Sequence, residues 1–181
     1  MAAGGRVTFQ ELHYTKSFRH SFISALSDPI GTVVICSPFF DGLPAPFRNV
    51  VEFCRFMQVR GTEKIQIITR PPGCDASAMR VDVARELANQ GVEIFIRAKP
   101  YHHAKMYHFE YLKGYFRCFV GSANFTMGGF ERNYEIVAEM EGVGNASPCH
   151  RELKRMQETG GTLTYQAWVA KGQPPGEQEQ A

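Results

Sequence analysis

The chain has 181 residues, of which 44% are hydrophobic and 21% charged; these proportions exclude intrinsic disorder, collagen-like repeats and a simple coiled coil, and fit one domain of ordinary size. Twenty Lys and Arg against eighteen Asp and Glu leave a formal charge of +2, too little to demand a polyanionic partner, so any argument for nucleic acid must be local. Apolar runs such as 94–96 and 116–120 break off within a few residues, far below the ~18 needed to span a bilayer, so neither a transmembrane helix nor a membrane partner is expected. The start, Met1 to Arg6, has no sustained apolar segment after a basic residue, so no secretory signal is read and the default address is cytoplasmic. Cys36, Cys54, Cys74, Cys118 and Cys149 are odd in number and contain no C-x-x-C pair, which disfavours a disulfide framework or a zinc ribbon and suggests small buried hydrophobes.

Phe18, Phe22, Ile23 and Leu26 recur at helical spacing until Asp28-Pro29 forbids continuation. The apolar run 33–36, bounded by Pro38, reads as a buried strand. A second helix is predicted from Pro46, suited to a first helical position, to about Arg60, with Phe47, Val50, Val51 and Cys54 on one face and Gly61 as its stop. The segment 64–69, KIQIIT, is β-branched and short, and Pro71-Pro72-Gly73 is a loop by composition. Asp75 is the expected N-cap of a third helix carrying Met79, Val83 and Leu87, ended by Gly91, and 92–96 is the next strand. Short buried strands alternating with helices predict an α/β sheet with helices on both faces.

From His103 the pattern changes to three closely spaced strands, 103–109, 115–120 and 134–140, which makes the sheet mixed. A helix over 148–158 and a short strand at 162–165 follow. The expected organisation is a flexible N-terminus over 1–9, a single catalytic domain over 10–168 and a disordered polar, Pro/Gly-rich tail over 169–181.

The chemistry gathers in His103-Ala104-Lys105, Gly121-Ser122-Ala123-Asn124 and Asn133-Tyr134-Glu135. Alternation along a strand puts the His103 imidazole and the Lys105 ammonium on one face, an unfavourable pair in a core but a suitable one for binding and attacking an anion such as phosphate. Glycine lets the next backbone turn closely, while Ser122 and Asn124 offer neutral donors for phosphoryl oxygens. Glu135 is placed to accept the proton of the His103 nitrogen that does not attack. His102 and His108 fall on the opposite strand face from His103, so the three do not converge on a metal, and no metal or cofactor is expected.

These residues resemble the HKD signature of the phospholipase D superfamily: H-x-K, four residues, Asp, then G-S-x-N and a downstream Glu. The match runs over the 33 residues from His103 to Glu135. The family's Asp, chiefly structural, falls on Glu110, and the gap from there to Gly121 is ten residues rather than the family's six, implying a longer hairpin through Tyr111 to Gly114. The upstream order of elements widens the resemblance to residues 10–165. It implies a phospholipase D-like mixed β-sheet, metal-independent chemistry and a phosphohistidine on His103. It also implies a second histidine from another HKD copy to protonate the leaving oxygen, and this chain has one copy.

The expected function is therefore a phosphodiesterase, foremost a DNA endonuclease with little sequence preference, similar to the single-copy bacterial nuclease branch. It would be a homodimer with a shared site, and a separate protein partner would supply any specificity. DNA is favoured over RNA. Competing readings are a phospholipase or phosphatidyl transferase acting on lipid head groups, and a non-catalytic phosphate-binding module. Arg97, Lys99 and Arg132 are the candidate nucleic-acid contacts, Arg97 and Lys99 because they lead into His103. The aromatics Tyr101, Tyr107, Phe109, Tyr111, Tyr115, Phe116, Phe119, Phe125 and Phe130 divide between strand core and one or two rings that stack on bases. Phe125, Met127 and Phe130 could instead bury the dimer contact.

Overall fold

A computed structural model describes residues 7–98, 102–143 and 147–172. Strands β1 (Val7–Tyr14), β2 (Ile30–Cys36), β3 (Lys64–Thr69), β4 (Glu93–Arg97), β5 (Met106–Tyr111), β6 (Tyr115–Gly121), β7 (Ile136–Val143) and β8 (Thr162–Thr164) form one sheet, ordered β1-β7-β6-β5-β2-β3-β4-β8. β2, β3 and β4 are parallel and every other pairing is antiparallel, so the sheet is mixed and the fold α/β, as expected. The central parallel strands are covered on both sides, which explains why every residue of KIQIIT after Lys64 is buried instead of alternating with exposed ones.

Helices α1 (Thr15–Ala25), α2 (Val50–Val59), α3 (Val81–Asn89) and α5 (Tyr165–Ala170) pack on one face; α4 (Pro148–Glu158) packs on the other. The larger core joins Val33, Ile35, Ile67, Tyr107 and Phe109 of the sheet to Phe18 and Phe22 of α1, Phe53 of α2 and Leu87 of α3. The smaller joins Val34, Cys36, Ile68, Met106 and Cys118 to Cys149 and Leu153 of α4. Four of the five cysteines are buried and all are free, as the sequence suggests. No helix among the described residues is long and apolar enough to cross a membrane.

Several boundaries differ from expectation. α2 starts at Val50, not Pro46, because the Asn49 side chain accepts from the Glu52 amide and caps the helix there, while Pro46 follows a cis peptide bond in the preceding turn. Asp75 accepts from the Ser77 and Ala78 amides and so caps a turn ahead of α3, which begins at Val81. β1 begins at Val7, inside the segment 1–9 expected to be flexible, and pairs with β7, while α5 runs past the expected domain end at 168. Residues 1–6 and 173–181 of the expected flexible termini lie outside the described residues. Where a longer hairpin through Tyr111 to Gly114 was expected, β5 and β6 join through the three-residue turn 112–114, with Gly114 at φ 82°.

Candidate active site

The carboxyl ends of β2, β3 and β4, the entry to β5, the exit of β6 and the entry to β7 meet at one end of the sheet, where open α/β sheets place their ligand crevices. His103 and Lys105 lie in the extended segment just before β5, not within a strand as expected. The Lys105 carbonyl nevertheless accepts from the Gly121 amide at 3.2 Å, which holds the segment beside the loop after β6. Lys105 Nζ is 2.8 Å from His103 Nδ1 and 2.9 Å from the His103 carbonyl, so the imidazole and the ammonium are together as predicted. His103 is exposed and Lys105 buried. Burial pushes the Lys105 pKa below the ordinary lysine value, with the Glu135 carboxylate acting in the opposite direction.

Behind them the loop 121–124 is clamped. A Cβ on Gly121 would lie 2.2 Å from the Ile136 carbonyl, so only glycine allows β6 to pass β7 this closely. The buried Tyr107 hydroxyl donates to the Ala123 carbonyl at 2.6 Å, and the Phe125 amide donates to Ser37 Oγ at 3.1 Å. Ser37 thus ties the end of β2 to the segment after Asn124. Asn124 Oδ1 is buried with no hydrogen-bond partner.

A π-helical turn over Gly128–Arg132, which sequence periodicity did not reveal, supports Asn124 from below. A Cβ on Gly129 would sit 2.1 Å from the Asn124 carbonyl and 2.7 Å from its amide. Gly129→Ala should therefore displace the Asn124 loop and cost about 1–3 kcal/mol by overpacking. Urea denaturation checks this; an unchanged midpoint would show that the turn moves aside freely.

Glu135 is buried immediately before β7. Ser122 Oγ donates to its Oε2, Asn133 Nδ2 donates to Oε1 at 3.1 Å, and its own amide donates to Thr15 Oγ1 at 3.0 Å. The expected bond from His103 to Glu135 is therefore absent among the described residues, because nearer donors occupy the carboxylate. Glu135 instead orients Ser122 and lends negative charge to Lys105.

A cleft of about 430 Å³ opens beside these residues, lined by Phe39, Asp41, Ser77, Asn124, Arg132 and Asn133. The Phe39 ring lies edge-on to His103 at 6.1 Å and carries the Arg70 guanidinium over its face at 5.2 Å. Arg132 is thus brought to the site. Arg97 is held in the β4–β8 ladder opposite Thr162, and Lys99 lies outside the described residues, as does Tyr101. A cavity of similar size, about 460 Å³, lies over the outer side of α1 near Arg19 and His20 and contains none of the motif residues.

The aromatic stretch is core: Tyr107, Phe109, Phe116, Phe119, Phe125 and Phe130 are all buried, so Phe125 and Phe130 cannot form an exposed interface. The buried His102 faces Cys36 across 3.8 Å, away from His103, and burial pushes its pKa down to about 4. Glu110 is not at the site. It lies five residues beyond Lys105 along β5, about 16 Å away, bonded to His150 and 3.8 Å from His108. His108 and His150 are consequently too distant to protonate a leaving group at His103.

A family model described as cardiolipin synthase, PLD-like domain, matches residues 22–157. Among solved structures, the phospholipase D family member Nuc from Salmonella typhimurium is 17% identical, covering 88% of this chain and 99% of its own with a TM-score of 0.60. NucT from Helicobacter pylori is 16% identical, covering 88% of this chain and 100% of its own, with a TM-score of 0.57. Phosphatidylserine synthase from Haemophilus influenzae is 11% identical over 93% of this chain and 42% of its own, with a TM-score of 0.56. A comparison with curated proteins finds no match.

Proposed function

The chain belongs to the phospholipase D-like domain family, and from that premise we propose that it is a phosphodiesterase using His103 as nucleophile, acting on nucleic acid as a DNA endonuclease. The observation that carries this reading is the placement of His103 against Lys105 Nζ at 2.8 Å, beside the Asn124 loop and the cleft. In the unliganded site the ammonium donates to His103 Nδ1. A phosphodiester oxygen is a stronger acceptor, so bound substrate draws the ammonium to itself and frees the ring to present a lone pair to phosphorus. The N–P bond forms as the P–O bond to the leaving group breaks, and the leaving oxygen takes a proton from a second imidazole. The second imidazole, now neutral, takes a proton from water as the water oxygen attacks phosphorus, and the N–P bond breaks to restore both rings. Lys105 and the Asn124 side-chain amide hold the phosphoryl oxygens, where charge builds in each transition state, whereas the Ser122 hydroxyl, expected to join them, gives its one proton to Glu135. Glu135 positions Ser122.

Two features favour a polynucleotide over a lipid head group. Phe39, with Arg70 on its face, offers a planar stacking surface beside the nucleophile, and Arg132 and Asn133 line the adjoining cleft as phosphate and base contacts. Sequence selectivity beyond stacking would come from a separate protein partner.

The second imidazole comes from a second copy of the chain. Beyond α4 none of the described residues covers the sheet face over β1 and β7, which exposes Leu12, Tyr14 and Ile136 at 49%, 51% and 44%, with Tyr134 at 78% next to Glu135. This apolar strip borders the site, and a two-fold axis across it would bring both His103 side chains to one phosphorus.

The test sets duplex DNA, single-stranded DNA, RNA and phosphatidylcholine vesicles side by side, each with and without EDTA. Duplex or single-stranded DNA should be cut, and chelation should leave the rate unchanged because imidazole replaces metal-activated water. Release of lipid head groups with DNA left intact would overturn the substrate class, and an absolute divalent-ion requirement would overturn the chemistry.

A further inference from the structure

The far end of β5 carries a cluster that the proposed chemistry does not use. His108 and Glu110 alternate onto the α4 side of the strand, and His150 reaches down from the first turn of α4. One nitrogen from each imidazole and one oxygen of Glu110 lie within 4.8 Å of one another. His108 is only 1% exposed, and its Nδ1, 3.8 Å from Glu110 Oε1, is buried without a hydrogen-bond partner. A buried polar atom in that condition ordinarily costs stability and calls for a ligand.

The rest of the ring is fixed as a metal-binding histidine is. His108 Nε2 is 3.0 Å from Ser147 Oγ, which also accepts the His150 amide at 3.1 Å, and the Phe116 ring stacks on the imidazole at 5.4 Å. With Nε2 protonated toward Ser147, Nδ1 presents its lone pair to the cluster. Glu110 and His150 are each about a third exposed, 31% and 33% at the side chain, so an ion can enter from solvent.

We propose that His108, Glu110 and His150 bind one divalent transition-metal ion of the zinc class. Two imidazoles and a carboxylate suit such an ion, with water in the fourth position. Bonds of about 2.0–2.1 Å require tetrahedral ligand atoms to stand roughly 3.3–3.5 Å apart. His108 Nδ1 and Glu110 Oε1 meet that by a small contraction, and the Glu110–His150 hydrogen bond opens to admit the ion. The ion joins α4, among the described residues the one helix on its face of the sheet, to the central strand β5. Its distance from His103 makes it structural, so its removal lowers melting temperature and spares cleavage at room temperature.

The full chain, stripped with EDTA and exchanged into chelator-free buffer, is titrated with Co²⁺ and then Zn²⁺. One equivalent of Co²⁺ should bind with visible absorption bands of four-coordinate cobalt, Zn²⁺ should bleach them, and Zn²⁺ should raise the melting temperature. His150→Ala and Glu110→Gln should each weaken uptake at least tenfold, whereas His103→Ala should not change it. Circular dichroism of the metal-free variants establishes that they are folded; if His150→Ala is not, the isosteric Glu110→Gln decides. No uptake by the wild-type chain at micromolar ion, or equal uptake by wild type and Glu110→Gln, would overturn the proposal.

Discussion

His103→Ala should lose cleavage by at least ~10³-fold while keeping the wild-type melting temperature, because an exposed ring at a crevice is removed without emptying a core. Lys105→Ala and Asn124→Ala should also fail strongly, by losing charge stabilisation and not the attacking atom. The same variant probes the shared site. If two His103 side chains serve one phosphorus, subunit exchange in an equal mixture of wild type and His103→Ala leaves only wild-type homodimers active. Specific activity should then fall to roughly a quarter of the pure wild type, whereas independent monomers would retain roughly a half. A value near a half, measured after exchange has gone to completion, would remove the second subunit from the mechanism.

The largest stability effect is expected far from the chemistry, at Arg117. Its guanidinium hydrogen-bonds the buried Glu139 carboxylate through Nε at 2.8 Å and through a second nitrogen, while Ser21 Oγ and His13 Nε2 each approach Glu139 Oε2 at 2.6 Å. This network ties β1 and α1 to β6 and β7. Burial alone would raise the Glu139 pKa, but hydrogen bonds from Ser21, Arg117 and His13 bring it below the ordinary carboxylate value of 4.5. Arg117→Met leaves that carboxylate buried with its cation gone and should cost about 3–5 kcal/mol in urea denaturation at neutral pH. Because the folded pKa is depressed, the stabilisation is present above pH 4.5 and disappears as pH falls through the folded value. The gap between wild type and variant should accordingly narrow in acid; a gap constant down through that range would assign Arg117's contribution to packing alone.

What the sequence disclosed was set by how local the physics is. KIQIIT declared a strand because it is short and β-branched, as suits a strand buried on both faces, and the helix expected over 148–158 is found at those bounds with Pro148 in its first turn. The pairing of His103 with Lys105 was legible because extended backbone of any kind puts i and i+2 on one side, so it survived the shift of the strand's start to Met106. β1 was not legible: an edge strand with one solvated face reads VTFQELHY, too polar to announce burial. Nor was the role of Glu135, which depends on Ser122 and Asn133 being nearer than His103, or that of Gly129, which depends on a π-turn passing under Asn124. The convergence of Glu110 with His150 spans forty residues and exists only because α4 returns across the sheet. Glu110 was legible as the counterpart of the motif acid, but not the neighbours that acid would have.

The most direct measurement is the stereochemical course at phosphorus. A phosphorothioate diester of known configuration, cleaved in oxygen-isotope-labelled water, reports how many displacements occur. Attack by His103 followed by attack of water inverts phosphorus twice, so overall retention is predicted, together with an acid-labile phosphoryl adduct on the peptide containing His103 when the reaction is quenched early. Inversion would mean that water attacks phosphorus in a single step, and would contradict His103 as the nucleophile.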